Sequence, residues 1–312
     1  MTRHPGRTFA LALLSLGMLA LAPEARAQAG SSGLAFLKLG VAGRGVAMAD
    51  AMAASTSGVS SLYYNPAGLL EQSAAGPSTR FMFTHKEWIQ DTRLEFLGGT
   101  ARLGENGGLG ASITSTSISD IEIRTAPGEP EGTFSASNMA IGLSYAHRLT
   151  ETIRAGITVK YLYEKMLVDN ASGFAVDLGV QTDTPLEYLT IGAAVQNLGG
   201  MSPLRSEKTV LPAMARLGGA YALELSDGLY ALQGAVDGVY IIPEKRTYLN
   251  LGGEAVFHRL AALRVGYQFG SEARGLTAGV GIAYGILALD YAYAQLASDL
   301  GSAHTISLAV NL

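Results

Sequence analysis

The sequence predicts an all-β protein, a transmembrane antiparallel β-barrel of about 14 strands with an N-terminal hatch in its lumen. Three observations carry this. The 312-residue chain has a positive mean hydropathy, yet beyond its opening segment it holds no apolar run long enough for a membrane helix. Its apolar residues recur with period two in stretches of about ten, the length a tilted strand needs to cross the hydrocarbon layer. It also opens with an export signal, and an exported chain without membrane helices points to the outer membrane, which alternating strands can cross with half their residues polar.

The export signal is read from Arg3 and Arg7, the apolar run from Thr8 to Ala22, and the A-x-A site Ala25-Arg26-Ala27. Together they mark residues 1–27 as a secretory signal peptide and Gln28 as the mature start. The run is shorter than the roughly 20 residues of a spanning anchor. Of 22 basic and 26 acidic residues, three Arg and one Glu fall in 1–27, leaving 19 and 25 and a net charge of −6. No basic stripe offers a nucleic-acid surface. The chain has no Cys, which excludes a disulfide framework and thiolate chemistry.

Residues 28–77 show no strand alternation. They are rich in Ala, Gly and Ser, with helix-like pieces around Val46 to Ala54 and Pro66 to Leu70. Asn65 suits an N-cap there and Pro66 the first helical position. So few large apolar residues cannot make an independent core, so the segment is expected inside something larger, as a plug.

The barrel is expected over 78–312. Strands are read near 78–88, 91–102, 108–118, 134–146, 152–164, 173–181, 188–197, 213–223, 229–238, 246–257, 261–269, 275–284, 286–294 and 303–312. The clearest sets Ile153, Ala155, Ile157, Val159, Tyr161 and Tyr163 against Arg154, Gly156, Thr158, Lys160, Leu162 and Glu164. The last sets Ile306, Leu308, Val310 and Leu312 against Thr305, Ser307, Ala309 and Asn311. Connections alternate between short and longer from the second strand on, as periplasmic turns and outer loops do. The first connection is short where a longer one is expected.

A soluble sandwich or small barrel would turn the apolar face inward. Fourteen strands closed that way would enclose a cavity too wide for side chains to fill, whereas a polar lumen can hold water and paired charges. The apolar face is therefore placed toward lipid, with the Tyr residues largely in interfacial belts. The lumen face then carries Arg93, Glu95, Arg154, Lys160, Asp177, Arg216, Asp237, Glu254, Arg264 and Asp290. Their mixed signs suggest a network that pairs across the barrel and fastens the hatch; a direct role in ligand passage is the second reading. On this face assignment, Asp at Ile157 or Val265 should damage assembly and Asp at Thr158 should be tolerated.

No catalytic constellation stands out. The five His show no metal spacing, and no Ser is singled out by a neighbouring base. The chain is expected to be no enzyme, with no metal and no cofactor. Gly43-Arg44-Gly45 lacks the preceding strand and third Gly of a dinucleotide fingerprint and reads as close backbone packing.

The segment from Gly33 to Met48, Gly-Leu-Ala-Phe-Leu-Lys-Leu-Gly-Val-Ala-Gly-Arg-Gly-Val-Ala-Met, followed by Leu62-Tyr-Tyr-Asn-Pro-Ala-Gly-Leu69, resembles the N-terminal signature of the PorV/PorQ family of outer-membrane proteins. These are relatives of the FadL-type transporters. The likeness continues through Val195-Gln-Asn-Leu-Gly, Leu263-Arg-Val-Gly-Tyr and His304-Thr-Ile-Ser-Leu and covers nearly all of the mature chain. It implies a 14-stranded barrel with a hatch, and it makes Asn65, Pro66, Ala67 and Gly68 the hatch motif, although local residues read equally well as ordinary capping. Phe36, Leu37, Leu39, Leu62, Tyr63 and Tyr64 would line an apolar ligand pocket between hatch and wall, or simply pack there. The favoured expectation is passive transport of a hydrophobic small molecule across the outer membrane, with membrane lipid as surroundings. The alternative is a non-transporting partner subunit of a type IX-like secretion or surface-attachment system. A carrier should show an apolar pocket and a gap in the wall, and a subunit a sealed lumen.

Overall fold

A computed structural model describes residues 32–70, 78–89, 92–124, 128–226, 229–297 and 300–312. The expected signal peptide, 1–27, and the expected junction of hatch and barrel, 71–77, lie outside the described residues. Fourteen antiparallel strands form one closed barrel: β1 (Thr79–Glu87), β2 (Arg93–Leu103), β3 (Gly107–Ile123), β4 (Gly132–Arg148), β5 (Ile153–Met166), β6 (Asp169–Asp183), β7 (Leu189–Met201), β8 (Met214–Leu225), β9 (Tyr230–Ile241), β10 (Arg246–Phe257), β11 (Ala261–Phe269), β12 (Arg274–Tyr284), β13 (Leu287–Leu296) and β14 (Ser302–Asn311). Each pairs with its sequence neighbours, and β1 pairs with β14 to close the ring. At that seam the Thr79 and Leu312 backbones exchange hydrogen bonds of 3.1 and 2.8 Å.

Each expected strand coincides with one of these. The strands run farther than the hydropathy marks them, because β3 and β4 keep pairing above the apolar band through Ser117 and Ser137, where alternation is polar and silent. Only Leu167 and Val168 join β5 to β6, so the expected longer loop at 165–172 is a tight turn. The longest connections, 124–131 and 202–213, still lie on the rim opposite Thr79 and Leu312, which faces outward with Leu312 periplasmic.

Burial is inverted relative to a water-soluble fold. Phe81, Phe83, Leu97, Val159, Leu178, Leu263, Val265, Leu289 and Ile306 are exposed on the outer wall, while Thr84, Lys86, Thr158, Asp177, Gln181, Asp237 and Ser307 are buried inside. That is the lipid-facing arrangement the pattern predicts. One strand departs from it. In β2, Leu94 and Phe96 face inward and are buried, so Arg93 and Glu95 stand on the outer face, where Glu95 pairs with His85 at 2.6 Å. The lumen is apolar at that point because the hatch fills it.

Residues 32–70 occupy the lumen as short turns: Ala35–Lys38 (3-10), Gly43–Ala47 (α), Gly58–Ser60 (3-10), Ser61–Tyr64 (α) and Pro66–Leu69 (3-10). The helix expected over Val46 to Ala54 instead ends at Ala47. Ala49 and Asp50 take left-handed backbone conformations (φ 52° and 61°), which stops the helix and turns the Asp50 carboxylate inward. The main apolar core joins hatch to wall: Met48, Met52, Val59, Leu62 and Tyr64 pack with Met82, Leu94 and Phe96.

Candidate functional site

The candidate site is the seam between hatch and wall, and glycines shape it. Inward-facing Gly156, Gly179, Gly192, Gly252, Gly266 and Gly279, on six different strands, meet hatch atoms so closely that a Cβ could not fit. A Cβ on Gly192 would lie 2.5 Å from the Ala53 carbonyl carbon and 2.7 Å from the Ala54 nitrogen. One on Gly156 would lie 2.6 Å from the Pro66 carbonyl oxygen. Real Cβ contacts almost never fall below 3.0 Å, so at Gly156, Gly192, Gly252 and Gly266 backbone rests on backbone, and at Gly179 and Gly279 wall backbone rests on the Asn65 and Ala47 side chains, approaches only Gly permits.

The Asn65-Pro66-Ala67-Gly68 element sits on this seat. The Asn65 Oδ1 accepts the Ala67 N–H at 3.2 Å, an ordinary cap with Pro66 at the first helical position. Its Nδ2 does something else: it donates to the Ala53 carbonyl at 2.7 Å and lies 3.1 and 3.3 Å from the carbonyls of Val180 and Ala193 in the wall. Capping and fastening thus use opposite ends of one amide. Gln181 adds bonds to the carbonyls of Ala53, Ala54 and Thr56, each 3.2 Å. From β9, Asp237 Oδ2 accepts the N–H groups of Met52 and Ala53, both at 2.7 Å.

Asp50 is the hub of the hatch. Its carboxylate accepts from the Tyr64 hydroxyl at 2.5 Å and pairs with Arg274 at 2.7 Å, and Arg216 reaches its carbonyl at 3.4 Å. Burial disfavours the charged form, but Arg274, Lys86, the Tyr64 hydroxyl and Arg216 outweigh it and hold the carboxyl down at about 2. Burial and the neighbouring Asp50 push the Tyr64 phenol well above its ordinary range, so it stays a hydrogen-bond donor. The buried Lys86 donates to the Gly40 carbonyl.

Of the ten charges that alternation places in the lumen, Arg93 and Glu95 lie outside, and Arg154, Lys160, Asp177, Glu254, Arg264 and Asp290 find charged partners inside. Glu254 accepts from Arg44 of the hatch at 2.9 and 3.0 Å and from Arg264 at 2.5 Å, and Arg264 reaches Asp290 at 2.6 Å. Arg154 pairs with Asp183 at 3.0 Å. Lys160 pairs with Asp177 at 2.6 Å and donates to Asn197 at 2.8 Å, where β7 bulges against β6 and Asn197 takes φ 59°. The lumen is not water-filled where Thr158 sits: that residue is fully buried and shares a 2.7 Å hydrogen bond with Ser144. An Asp there would be buried without a cation assigned to it, so the expected tolerance at Thr158 gives way to a penalty.

Of the residues expected to line a ligand pocket, Phe36, Leu37, Leu62 and Tyr63 surround one cavity with Phe96 and Ala140, and Lys160 stands at its edge. Its volume is about 20 Å³. Leu39 packs on the main core instead, and Tyr64 turns to Asp50. A second cavity of about 980 Å³ lies below the hatch toward the periplasmic turns. Its lining mixes polar side chains such as Ser57, Arg154 and Asp183 with apolar ones such as Leu70, Leu189 and Val256. Lys38, Arg44, Asp50, Lys86, Glu244 and Arg274 are charged seam residues that alternation did not single out. A lone carboxylate in Met48-Ala-Asp-Ala-Met52 is the one sequence signal that pointed to Asp50.

Among the described residues every neighbouring pair of barrel strands is hydrogen-bonded, with register shifts only in β3–β4, β6–β7 and β12–β13. Solved structures with this fold include the CymD monoaromatic hydrocarbon channel, 14% identical, covering 88% of this chain and 98% of that one with a TM-score of 0.65. The Pseudomonas putida toluene transporter TodX is 13% identical over 87% and 97% with a TM-score of 0.61. A Pseudomonas aeruginosa FadL homologue is 10% identical over 87% and 98% with a TM-score of 0.58. At such identities the likeness concerns the fold. No curated protein matches the chain. The family model described as "Type IX secretion system protein PorV" matches residues 22–183, which is more than half of the sequence, and the chain belongs to the PorV family.

Proposed function

We propose that this barrel works with its lumen sealed, as a non-transporting outer-membrane subunit of a type IX-like secretion or surface-attachment system. The observation that carries this is the glycine-moulded seat, on which at Gly156, Gly192, Gly252 and Gly266 hatch backbone meets wall backbone with no side chain between them to swing aside. The unbroken strand pairing and the family's description support the same reading. Carriage of a hydrophobic molecule, suggested by the FadL-type fold, has less support. The apolar cavity at the seam, about 20 Å³, has room for about one water, and the space beneath the hatch carries the charged groups of Arg154, Asp183 and Glu187 beside its apolar ones.

The test uses the absence of Cys. A Cβ on Gly98 would lie 2.8 Å from Val59 Cγ1, the place a sulfur would take, so Val59→Cys with Gly98→Cys ties the hatch to β2. Deleting the gene should abolish surface delivery of secreted proteins, and the oxidised, locked barrel should restore it. Restoration only after reduction, or no export defect on deletion, would overturn the reading.

A further inference from the structure

The lumen segment divides into two packing units. The body, residues 43–70, shares the main core and the glycine seat. The leading strap, residues 32–40, buries Leu34, Phe36 and Leu37 in a separate apolar cluster with Leu162, Met201 and Leu211 near the outer rim. The strap is held differently as well. Its two polar side chains, Ser32 and Lys38, both donate to one carboxylate, Glu244 in the β9–β10 turn, Lys38 at 2.5 Å. A backbone bond, Gly33 N–H to the Val210 carbonyl at 2.9 Å, adds to them at the rim, and on the inner side the Tyr63 hydroxyl donates to the Leu37 carbonyl at 3.2 Å and Lys86 to the Gly40 carbonyl. Between strap and body lies the residual cavity floored by Leu62, Tyr63 and Phe96, so the two units do not close fully on each other there. Gly40 stands at the junction.

We propose that residues 32–40 form an outer lid, latched by Glu244, that lifts toward the cell surface while the body stays seated. Lifting it uncovers the recess over Leu62, Tyr63 and Phe96 from outside without opening a path to the periplasm. The inference rests on the sealed-lumen reading, in that the body does not move.

Single-cysteine reporters in the Cys-free chain separate the two claims. Leu37→Cys reports on the strap and Ala51→Cys on the body, each probed on intact cells with a membrane-impermeant maleimide. Glu244→Gln removes a charged acceptor of two hydrogen bonds and should speed labelling at position 37 by at least about tenfold, with position 51 unchanged. A tether at the rim should reverse this. A Cβ on Gly33 would lie 3.7 Å from the Thr209 Cβ, within disulfide range, so oxidised Gly33→Cys with Thr209→Cys should restore protection. Unchanged labelling at position 37 in Glu244→Gln overturns the lid. A rise at both positions overturns the seated body and with it the sealed lumen. Should Glu244→Gln fail to assemble, Lys38→Met removes the other half of the latch and is read in the same way.

Discussion

Gly192→Ala measures how tightly the lumen is plugged. The new methyl would sit 2.5 Å from the Ala53 carbonyl carbon and nearer still to its oxygen, against an ordinary approach of 3.4 Å or more, so the hatch backbone must retreat by at least about 0.9 Å. Both partners are main chain, and no rotamer can absorb the shift. Ala53 is also where the wall holds the hatch: its N–H bonds Asp237 at 2.7 Å, and its carbonyl takes Gln181 at 3.2 Å. A retreat of that size stretches the Asp237 bond to about 3.6 Å and the Gln181 bond farther, beyond hydrogen-bond range. Overpacking costs about 1–3 kcal/mol, and each buried group left without a partner costs about 1–3 kcal/mol more. We therefore expect a loss of about 3–6 kcal/mol from the hatch–wall contact. The assay is ionic conductance in planar bilayers, paired with the temperature at which the barrel loses its compact migration on a gel. Gly192→Ala should leak and unfold earlier. Gly234→Ala is the control, since a Cβ there meets nothing within 4 Å, and it should match the parent in both. If Gly192→Ala is as tight and as heat-resistant as Gly234→Ala, the seat does not seal the lumen.

Asn65→Ser keeps a good capping oxygen but loses the amide that reaches Ala53 and the wall, so it should leak, whereas a purely capping role predicts a conductance like the parent's. Asp50, held at about 2 against an unfolded value near 3.9, adds about 2–3 kcal/mol that is fully present above pH 4 and lost as pH falls through 2; acid unfolding of Asp50→Asn should lack that component. Glu254→Gln leaves Arg44 and Arg264 facing each other in a buried site and should cost about 3–5 kcal/mol, read as a lower unfolding temperature. Ile157→Asp and Val265→Asp place a charge on the lipid face and should lower the yield of assembled barrel; normal yield for both would reverse the face assignment.

The strands were legible because lipid demands an apolar outer face, and period two records that demand residue by residue. Where lipid no longer faces the strand the record stops, so the last five residues of β3 and the first two of β4 read as loop. The inner face is written less clearly, because its partner is the hatch rather than water. Arg93 and Glu95 were therefore placed inside on polarity, although Leu94 and Phe96 belong there to meet Val59 and Leu62. The high count of 39 Gly was visible, but which glycines carry a hatch atom depends on three-dimensional approach, which no spacing encodes. Asn65 was visible as a cap; its second set of bonds needs two wall carbonyls more than a hundred residues away.

The seam between β1 and β14 bears on the order of construction. It joins the first strand to the last, across more than two hundred residues, and is the most non-local pairing in the ring. Everything that fills the lumen precedes β1 in the chain. With the hatch fitted closely against glycines of six strands, threading residues 43–70 into a finished ring would require the wall to part again. The plug is thus better regarded as a mandrel than as a stopper: the sheet curls about it, and the last zipper of hydrogen bonds, from Thr79 to Glu87, fixes both at once.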